Sequence, residues 1–356
     1  MTDRPFVGAR LDEHFSRWLG ARLRRRRSWV EHIVAYAGYG SSDQLRILGR
    51  VILQPATPKS DLMRVADDFM RRRGWRNFAS IPIGRATVKI TIGEDTIDVQ
   101  ADRSGYIDVR VRNTSLGPGW HEVTLKTEES RATQAPVQVV GADQEFGLIS
   151  DIDDTVISTS LPRILIAVWN SLMVTEQARQ SVPGMARMYH QVLAEHPGAP
   201  TIYISTGAWN TYPFLRRFLK RHGYPQGTML LTDWGPTNTG WFRSGPDHKR
   251  RSWHELARDL PHVKWLLVGD DGQHDPMLYR EFADLQPDHV RAIAIRQLTM
   301  AQQVLAHGTT TVLGDPNHVH YTPHTVPEVR GADGDELAPK VRAMLGEPLT
   351  DGRPTG

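Results

Sequence analysis

The sequence predicts an α/β fold in which a parallel β-sheet carries helices on both faces, preceded by a small antiparallel β-sandwich domain. From Gly147 onward, short apolar runs alternate with segments of helical periodicity, as in parallel sheets covered on both sides. Before that point, residues 45–140 contain short stretches that alternate apolar and polar positions between glycine-rich turns, which is typical of antiparallel strands. Aspartates directly follow the first apolar run of the α/β part, so we expect the functional site there.

These patterns divide the chain into four segments. A length of 356 residues allows two domains and short extras. The segments are a basic amphipathic helical segment at 1–44, a β-sandwich accessory domain at 45–140, an α/β domain at 141–315 and an extended carboxyl-terminal tail at 316–356. Because the second segment carries no chemical constellation, its expected role is binding or scaffolding.

The amino-terminal part is strongly basic. Residues 1–80 hold 16 Lys and Arg against 8 Asp and Glu, a balance of +8, while the whole chain sums to +3. Arg10 to Tyr36 carries apolar residues at helical spacing around the run Arg22 to Arg27, which predicts one or two basic amphipathic helices, and a further helix is expected at Asp61 to Arg73. The basic helix either lies on an anionic membrane surface or presents a solvated face while packing against its own protein. No nucleic-acid partner is expected, because membrane association explains the arginines as well.

The composition excludes several classes of protein. The chain has no cysteine, so disulfides, thiolate metal sites and a thiol nucleophile are ruled out. No stretch approaches the roughly 20 apolar residues that a membrane span needs, and residues 1–27 lack the apolar core of a signal peptide. We therefore expect a cytoplasmic protein, with a peripheral position on the inner face of the membrane as an option. The oligomeric state is not predicted.

The stretch Phe146 to Pro162 combines a short buried strand with three carboxylates, Asp151, Asp153 and Asp154. Because side chains alternate along a strand, Asp151 and Asp153 should share one face while Asp154 turns away. Two like charges in contact need a cation or a shared proton to relieve them. The pair therefore predicts bound Mg2+, strongly split pKa values, or both.

Further polar residues follow the next strands. Ser205, Thr206 and Gly207 come after a second apolar run, and a hydroxyl with backbone N–H groups at such a strand end can hold a phosphate oxygen. Lys249 opens a predicted helix. Asp270, Asp271 and Asp275 follow the run that begins at Trp265, and carboxylates that arrive from two strand ends suit Mg2+, which prefers oxygen ligands.

These four motifs, in this order, resemble those of the haloacid dehalogenase superfamily of phosphoryl-transfer enzymes, whose first motif is Asp-x-Asp-x-Thr, here 151–155. The resemblance implies a Rossmann-like parallel sheet. The segments between the motifs are short, so no large cap domain is expected over the site. An uncapped site is open to a bulky or membrane-bound phosphate, which makes small metabolites less suitable substrates.

A closer resemblance is carried by Ser150-Asp-Ile-Asp-Asp-Thr, Tyr203-Ile-Ser with Trp209, Tyr212-Pro-Phe-Leu, His248-Lys249, Gly269-Asp-Asp-Gly and Asp275-Pro276. These motifs are similar to the catalytic domain of the actin-patch-associated, Mg-dependent phosphatidate phosphatase family over roughly residues 145–300. The preceding sandwich is similar to the arrangement in bacterial relatives. Thr206-Gly207-Ala208 stands where the family usually has Asn-Ser-Pro, and Gln273 and Met277 replace acidic residues, which bears on the substrate preference.

The resemblance implies a role for each motif residue. Asp151 would be the nucleophile and Asp153 the general acid and base, with Ser205 and Lys249 offsetting charge on the phosphoryl group. The expected substrate-binding residues are Thr155, Thr206 and Gly207. The expected ligands of Mg2+ are Asp151, the backbone carbonyl of Asp153 and Asp270, with Asp275 positioning the waters of the metal and Asp271 as a reserve ligand.

The function implied is hydrolysis of phosphatidate to diacylglycerol through an aspartyl-phosphate. Two alternatives remain open at this point. A phosphatase of another bulky or soluble phosphomonoester, such as a phosphoprotein or a nucleotide, would share every catalytic residue. A lipid-binding module without enzymatic activity would need a broken motif, and none is broken here.

Overall fold

The computed structural model describes residues 29–55, 81–158, 180–232, 245–272, 274–299, 302 and 326–346. Contacts divide the chain into two compact units. The first comprises residues up to Ala142 together with Thr206–Phe214 and Leu231–His248, and the second comprises Asp143–Ser205, Leu215–Leu230 and the residues from Lys249 onward. Each unit is described separately below.

The first unit contains an eight-stranded sheet. Its strands are β1 (Trp29–Gly40), β2 (Gln44–Pro55), β3 (Ile81–Pro82), β4 (Thr87–Ile92), β5 (Asp95–Gln100), β6 (Tyr106–Arg112), β7 (Gly119–Lys126) and β8 (Thr133–Val139). Their order is β3-β2-β1-β8-β7-β4-β5, and β6 also pairs with β2. The pairing of β1 with β8 is parallel, while the paired neighbours β1 and β2, β2 and β6, and β7 and β8 are antiparallel.

The alternating pattern in the sequence arises because one side of these strands faces a common apolar core. In β4, for example, Val88, Ile90 and Ile92 are buried between more exposed residues, as a period of two requires. The strands predicted between residues 45 and 125 are present. Strand β8 lies at the end of the segment 45–140 that is predicted as a β-sandwich domain. The described strands form one continuous hydrogen-bonded sheet, and their description as a sandwich stays a prediction.

The helix predicted for Arg10 to Tyr36 is wrong from Trp29 onward, because these residues form the first half of β1. Ile33 pairs with Val51 of β2 and is completely buried in the core of the unit. The β-branched and aromatic residues of this stretch favour an extended backbone. The apolar residues whose spacing suggested a helix are buried in a sheet instead. The rest of the predicted basic helix and the helix predicted at 61–73 lie outside the described residues.

The second sheet has six strands in the order β13-β12-β9-β14-β15-β16. From β12 to β16 the neighbouring strands are parallel. The elements of this part are β9 (Phe146–Asp151), β10 (Ile157–Ser158), β11 (Gln180–Ser181), α1 (Met185–Ala194), β12 (Thr201–Ala208), α2 (Tyr212–Arg221), β13 (Thr228–Thr232), α3 (Gly245–Asp259), β14 (Lys264–Asp270), α4 (Asp275–Leu285), β15 (Val290–Arg296), β16 (Glu328–Gly331) and α5 (Gly334–Leu345). Strands β10 and β11 form a separate antiparallel pair.

The prediction of an extended tail at 316–356 is wrong for residues 328–345, which form β16 and α5. The acidic residues that suggested a solvated tail begin the helix instead. The side chain of Asp333 accepts hydrogen bonds from the backbone N–H groups of Asp335 and Glu336, which is the arrangement of an N-cap. Leu337 and Val341 are completely buried, so this helix is part of the packed domain.

The parallel register places the ends of the central strands at one edge of the sheet. Asp151 at the end of β9 lies opposite Ile204 of β12, and Asp270 at the end of β14 lies opposite Arg296 of β15. Polar residues that are distant in sequence therefore meet beyond the strand ends. Among the described helices, none is long and apolar enough to span a membrane.

The burial of Ile33 gives a test of the amino-terminal strand. We predict that Ile33→Ala lowers the free energy of unfolding by about 2–5 kcal/mol, because it leaves a cavity among fully buried neighbours. Val30→Ala is the matched control, since Val30 lies three residues earlier on β1 and is 45% exposed. Chemical denaturation of both variants measures the difference, and equal small losses in the two variants would argue against the buried strand.

Candidate active site

Asp151 is the last residue of β9, and its side chain is buried. The regular strand ends there, so the alternation expected from Asp151 to Asp153 does not continue. Asp153 instead forms an isolated bridge with Ile157, and Asp154 has a positive φ of 59°. The backbone N–H groups of Val156 and Ile157 both donate to the carbonyl of Ile152, which folds the chain into a tight turn directly after the nucleophile candidate.

Lys249 bridges two of the buried carboxylates. Its Nζ lies 2.7 Å from Asp151 Oδ1 and also donates to Asp275 Oδ1. Helix α3 carries Lys249, and the ammonium is as well buried as its partners. Burial alone would lower the pKa of Lys249, but the two carboxylates outweigh it and raise the pKa above its usual range. The lysine is therefore a fixed positive charge.

The oxygens of Asp151, Asp270 and Asp275 converge: one carboxylate oxygen from each lies within 4.8 Å of the others. Burial raises the pKa values of Asp151 and Asp270 well above the usual range, and the neighbouring carboxylates add to this while Lys249 opposes it. Three carboxylates and one ammonium would carry a net charge of −2 if all were ionised. Such a group needs protons or a further cation.

The donor set fits a hard divalent cation. Asp151 Oδ2 and Asp275 Oδ2 are buried, and neither accepts a hydrogen bond from the part of the chain that the structure describes. Buried carboxylate oxygens without donors are costly, and coordination of a cation would satisfy them. All-oxygen coordination suits Mg2+. The residues Asp151, Asp270 and Asp275 could therefore hold this ion.

Two glycines make room for this group. A Cβ on Gly269 would lie 2.6 Å from Asp275 Oδ2, and a Cβ on Gly272 would lie 2.8 Å from Asp270 Oδ1. The backbone N–H of Gly272 donates to the same Asp270 oxygen at 2.8 Å. The glycines of the motif Gly-Asp-Asp-Gly thus allow both carboxylates to approach the backbone of β14 and its following turn.

Asp153 is less buried than Asp151 and has a different partner. The hydroxyl of Ser205 donates to Asp153 Oδ2 at 2.9 Å. The sequence predicted that Ser205 holds a phosphate oxygen, whereas in the structure its hydroxyl contacts Asp153, the predicted acid and base. A half-buried carboxyl group held by a hydroxyl can exchange protons with a substrate oxygen or water.

The remaining predicted site residues are placed differently. Thr155 is completely buried and its hydroxyl donates to Asp270 Oδ2 at 3.3 Å, so it orients a carboxylate. The carbonyls of Thr206 and Gly207 accept hydrogen bonds from Thr232 Oγ1 at 2.8 and 3.2 Å. Among the described residues, Asp271 is not a member of the converging group. Its Oδ1 accepts a hydrogen bond from the backbone N–H of Leu298 at 2.8 Å.

This domain matches a known family. A family model described as the catalytic domain of phosphatidate phosphatase APP1 matches residues 146–297. The match contains β9, the turn after it, Lys249 and the strand end at Asp270. Residues 146–297, which are less than half of the chain, are therefore similar to the catalytic domain of this phosphatase family. The enzyme that this model describes is a phosphatase, a class that hydrolyses phosphoric monoesters.

Two curated relatives are similar over the same part of the chain. Phosphatidate phosphatase APP1 of Saccharomyces cerevisiae is 24% identical over 175 residues, which are 49% of this chain and 30% of the relative. An uncharacterized protein of Schizosaccharomyces pombe is 25% identical over 175 residues, which are 48% of this chain and 29% of that protein. The match thus spans less than a third of the length of either relative.

Solved structures add little to this family assignment. The crystal structure of a carbohydrate acetylesterase from Xanthomonas citri is 10% identical and covers 90% of this chain and 76% of its own, with a TM-score of 0.30. A flavohemoglobin from Malassezia yamatoensis is 9% identical, covers 78% of this chain and 63% of its own, and has a TM-score of 0.20. Neither likeness supports an argument about fold or function.

Sequence reasoning missed several polar residues around the APP1-family motifs. Thr232 and Arg296 each end a strand of the sheet, and a polar residue after an apolar run is the signal that would have pointed to them. Ser150 and Tyr189 form a buried pair at 2.7 Å, and Ser150 also donates to the carbonyl of Asp151 at 2.6 Å. No local pattern marks Tyr189, because its partner lies 39 residues away.

The raised pKa values of Asp151 and Asp270 give a test of the cation site. An acid whose pKa is raised in the folded state stabilises the fold below its unfolded value, and this contribution is lost as pH rises toward the folded value. The metal-free protein should therefore lose thermal stability between about pH 4 and the raised values. Mg2+ binds the ionised carboxylates, so we predict that the increase in Tm on adding Mg2+ grows from about pH 5 to about pH 8.

Thermal unfolding with chelator and with Mg2+ across this range measures the effect. Asp270→Asn should abolish the Mg2+ response, while Asp284→Asn on the exposed side of α4 should preserve it. A Tm that is insensitive to Mg2+ at every pH would contradict the assignment of Asp151, Asp270 and Asp275 to a cation.

Proposed function

We propose that this chain is a Mg2+-dependent phosphatase that hydrolyses a phospholipid phosphomonoester, phosphatidate, through an aspartyl-phosphate on Asp151. The observation that carries the proposal is Lys249 between the buried carboxylates of Asp151 and Asp275, with Asp270 completing the group. A fixed ammonium beside a buried carboxylate suits transfer of a phosphoryl group, since it offsets charge on both the nucleophile and the phosphate.

The first half of the reaction forms a covalent intermediate. A carboxylate oxygen of Asp151 attacks phosphorus, and the bond from phosphorus to the substrate oxygen breaks. The carboxyl group of Asp153 gives its proton to the departing alkoxide, which leaves as the alcohol, diacylglycerol. Ser205 donates to Asp153 at 2.9 Å and holds the acid in position during this transfer.

The second half releases phosphate. The Asp153 carboxylate accepts a proton from a water molecule, which attacks the phosphorus of the aspartyl-phosphate. The phosphorus–oxygen bond to Asp151 breaks, so the carboxylate is restored and inorganic phosphate leaves. Lys249 keeps its charge throughout because Asp151 and Asp275 raise its pKa.

Asp151, Asp270 and Asp275 would hold the cation, together with the backbone carbonyl of Asp153, as the resemblance implies. When bound, Mg2+ would neutralise negative charge on the transferring phosphoryl group and on the buried carboxylates. Thr155 orients Asp270 through its hydroxyl. Asp271 is the weaker candidate as a ligand, since its side chain accepts a hydrogen bond from the backbone N–H of Leu298.

The substrate assignment rests on the family similarity and on the expectation from the sequence that no large cap domain covers the site. The APP1-family match and the named relative from Saccharomyces cerevisiae support a phosphatidate. The segments that separate the motifs are short in sequence, which favours access for a large amphipathic substrate. Thr206-Gly207-Ala208 differs from the family pattern, so a different bulky phosphomonoester is the second substrate to test.

The deciding experiment is phosphate release from a panel that contains phosphatidate in vesicles, lysophosphatidate, nucleotides, sugar phosphates and a phosphopeptide, with Mg2+ and with chelator. We expect release from phosphatidate with Mg2+ and little release with chelator. Preferred turnover of a soluble phosphomonoester would replace the lipid assignment. No release from any member of the panel would contradict the phosphatase and favour a lipid-binding module.

We predict that Asp151→Asn lowers kcat at least about a thousand-fold, because an amide is a poor nucleophile toward phosphorus. The fold should persist, since the substitution keeps the shape of the side chain. Circular dichroism and phosphate release measure the two properties, with Asp284→Asn as the control on an exposed position. Turnover of Asp151→Asn within tenfold of the parent would contradict the assignment of Asp151 as the nucleophile.

We also propose that the basic amino-terminal residues bring the protein to anionic lipid at the cytoplasmic face of the membrane. Residues 1–28 precede β1 and hold eight arginines against three acidic residues. Each basic residue near an anionic surface contributes about 1 kcal/mol, and salt screens the attraction over a Debye length of about 8 Å.

Deletion of residues 1–28 tests this role without removing any part of β1. We expect weaker sedimentation with phosphatidate vesicles at low salt, and turnover on vesicles that falls much more than turnover on a soluble phosphomonoester. Replacement of Arg24 to Arg27 by glutamine is the matched variant, because it keeps the length and removes charge. Unchanged vesicle binding in both variants would leave the segment without a membrane role.

A further inference from the structure

Arg296 is a buried cation next to the candidate active site, and the proposed mechanism gives it no role. It is the last residue of β15, lies opposite Asp270 in the parallel register and is 5% exposed. Its guanidinium makes three hydrogen bonds with residues that the structure describes. Nη1 donates to the backbone carbonyl of Asp154, Nε to the carbonyl of Ala332 at 3.2 Å, and Nη2 to Gln302 Oε1 at 3.3 Å.

Burial of a guanidinium is costly, so its neighbours must compensate. Burial lowers the pKa of Arg296, while the surrounding carboxylates, Asp154 and Asp270 foremost, act in the opposite direction. An arginine remains protonated in such a place, because the ordinary pKa of a guanidinium lies far above neutral pH. The side chain is thus a permanent charge with a planar fork of donors, and it is directed at the turn that follows β9.

The residue that Arg296 holds has an unusual backbone. Asp154 adopts a φ of 59°, in the left-handed region that few non-glycine residues occupy. Its N–H donates to the carbonyl of Ile157 at 2.9 Å, and its carbonyl accepts from Arg296. The peptide groups on both sides of the Asp154 α-carbon are therefore fixed by hydrogen bonds.

This arrangement controls two atoms of the site. In a trans peptide the carbonyl of one residue points opposite to the N–H of the next, so fixing the N–H of Asp154 fixes the direction of the Asp153 carbonyl. That carbonyl is a proposed ligand of the cation. Thr155 comes next in the chain, and its hydroxyl donates to Asp270.

Arg296 also joins two segments that are distant in sequence, the turn after β9 and the residues around Ala332. Ala332 lies between β16 and α5, beyond the residues that match the APP1 family. Gln302 also donates to Ser158 Oγ of β10 at 3.4 Å. The guanidinium thus connects the turn after β9 with the carboxyl-terminal strand and helix, and through Gln302 with the pair of strands β10 and β11.

We propose that Arg296 is a positioning residue of the phosphatase site, which orients the Asp153 carbonyl and Thr155 by holding the backbone of Asp154. It ties this turn to the carboxyl-terminal segment, so residues 328–345 are part of the functional domain. The inference deepens the proposed function and rests on it for the role of the cation. The hold of Arg296 on the turn is independent of that function.

The test compares Arg296→Met and Arg296→Lys with the parent protein. Arg291→Met is the matched control, because Arg291 lies on the same strand and is exposed. Within the described ranges, it donates to the carbonyl of Leu345 at 3.4 Å. Three quantities are measured: amide hydrogen exchange of Asp154, Val156 and Ile157, the Mg2+ concentration that gives half of the maximal Tm shift, and kcat and KM on the substrate found in the panel.

We expect faster exchange of these three amides in Arg296→Met and a Mg2+ half-saturation raised by about 10- to 100-fold, as for partners that orient metal ligands. The value of kcat should fall by a similar factor, with KM within about threefold. Arg296→Lys keeps the charge but not the fork, so its values should lie between those of the parent and Arg296→Met. Arg291→Met should match the parent in all three quantities.

A folded Arg296→Met with the exchange rates and Mg2+ response of the parent would overturn the proposal. So would a loss of kcat that only follows the fraction of unfolded protein. If Arg296→Met does not fold, the measurements on Arg296→Lys decide the role of Arg296. Exchange rates and a Mg2+ response equal to those of the parent in Arg296→Lys would also overturn the proposal. The exchange and Mg2+ measurements need no turnover, so an inactive parent would contradict the phosphatase while these two measurements still decide the role of Arg296.

Discussion

The buried ammonium of Lys249 between Asp151 and Asp275 is the interaction on which the rest of the second unit depends. Two carboxylates and a lysine, all removed from water, stabilise one another only while each remains in contact, because a single buried charge left alone is strongly unfavourable. Asp270 adds a third carboxylate to the same volume. The lysine cannot balance this charge alone, and the unpartnered oxygens of Asp151 and Asp275 among the described residues mark where a cation fits.

The parallel sheet supplies the rigidity that such a group needs. Strands β9 and β14 are neighbours, and each ends in an aspartate. Glycines at 269 and 272 let the carboxylates lie close to the backbone, where a larger residue would collide with them. The turn after β9 is held by contacts from other elements, including Thr155 with Asp270 and Arg296 with Asp154. The acids are therefore fixed by the ends of buried strands and by polar contacts that cross the sheet edge.

How much of this could be predicted from the sequence depended on the range of each interaction. The apolar runs before Asp151, Ser205 and Asp270 are local signals, and the structure has strands at all three. The convergence of Asp151, Asp270 and Asp275 could be expected because parallel strands end at the same edge. The direction of the Asp153 side chain could not be predicted, because the strand ends at Asp151. The turn that follows is held by Arg296, which is distant in sequence.

The two wrong element predictions have a common physical cause. At Trp29–Tyr36 the apolar spacing was compatible with a helix. These residues form a strand because they pair with β2, which lies later in the chain. At 328–345 the acidic residues suggested a solvated tail, whereas Asp333 caps a helix and β16 adds to the edge of the sheet beside β15. In both places tertiary contacts outweigh the preferences of the local sequence. Patterns in a single sequence do not reveal those contacts.

The central claim is that Asp151 carries the phosphoryl group during turnover. Borohydride reduction of acid-quenched enzyme, taken while phosphatidate is being hydrolysed, converts an aspartyl-phosphate to homoserine, and mass spectrometry of peptides then locates the reduced residue. The account predicts homoserine at position 151, and its loss when substrate or Mg2+ is omitted. Homoserine at position 153 instead, or unmodified aspartate at 151 during steady turnover, would contradict it.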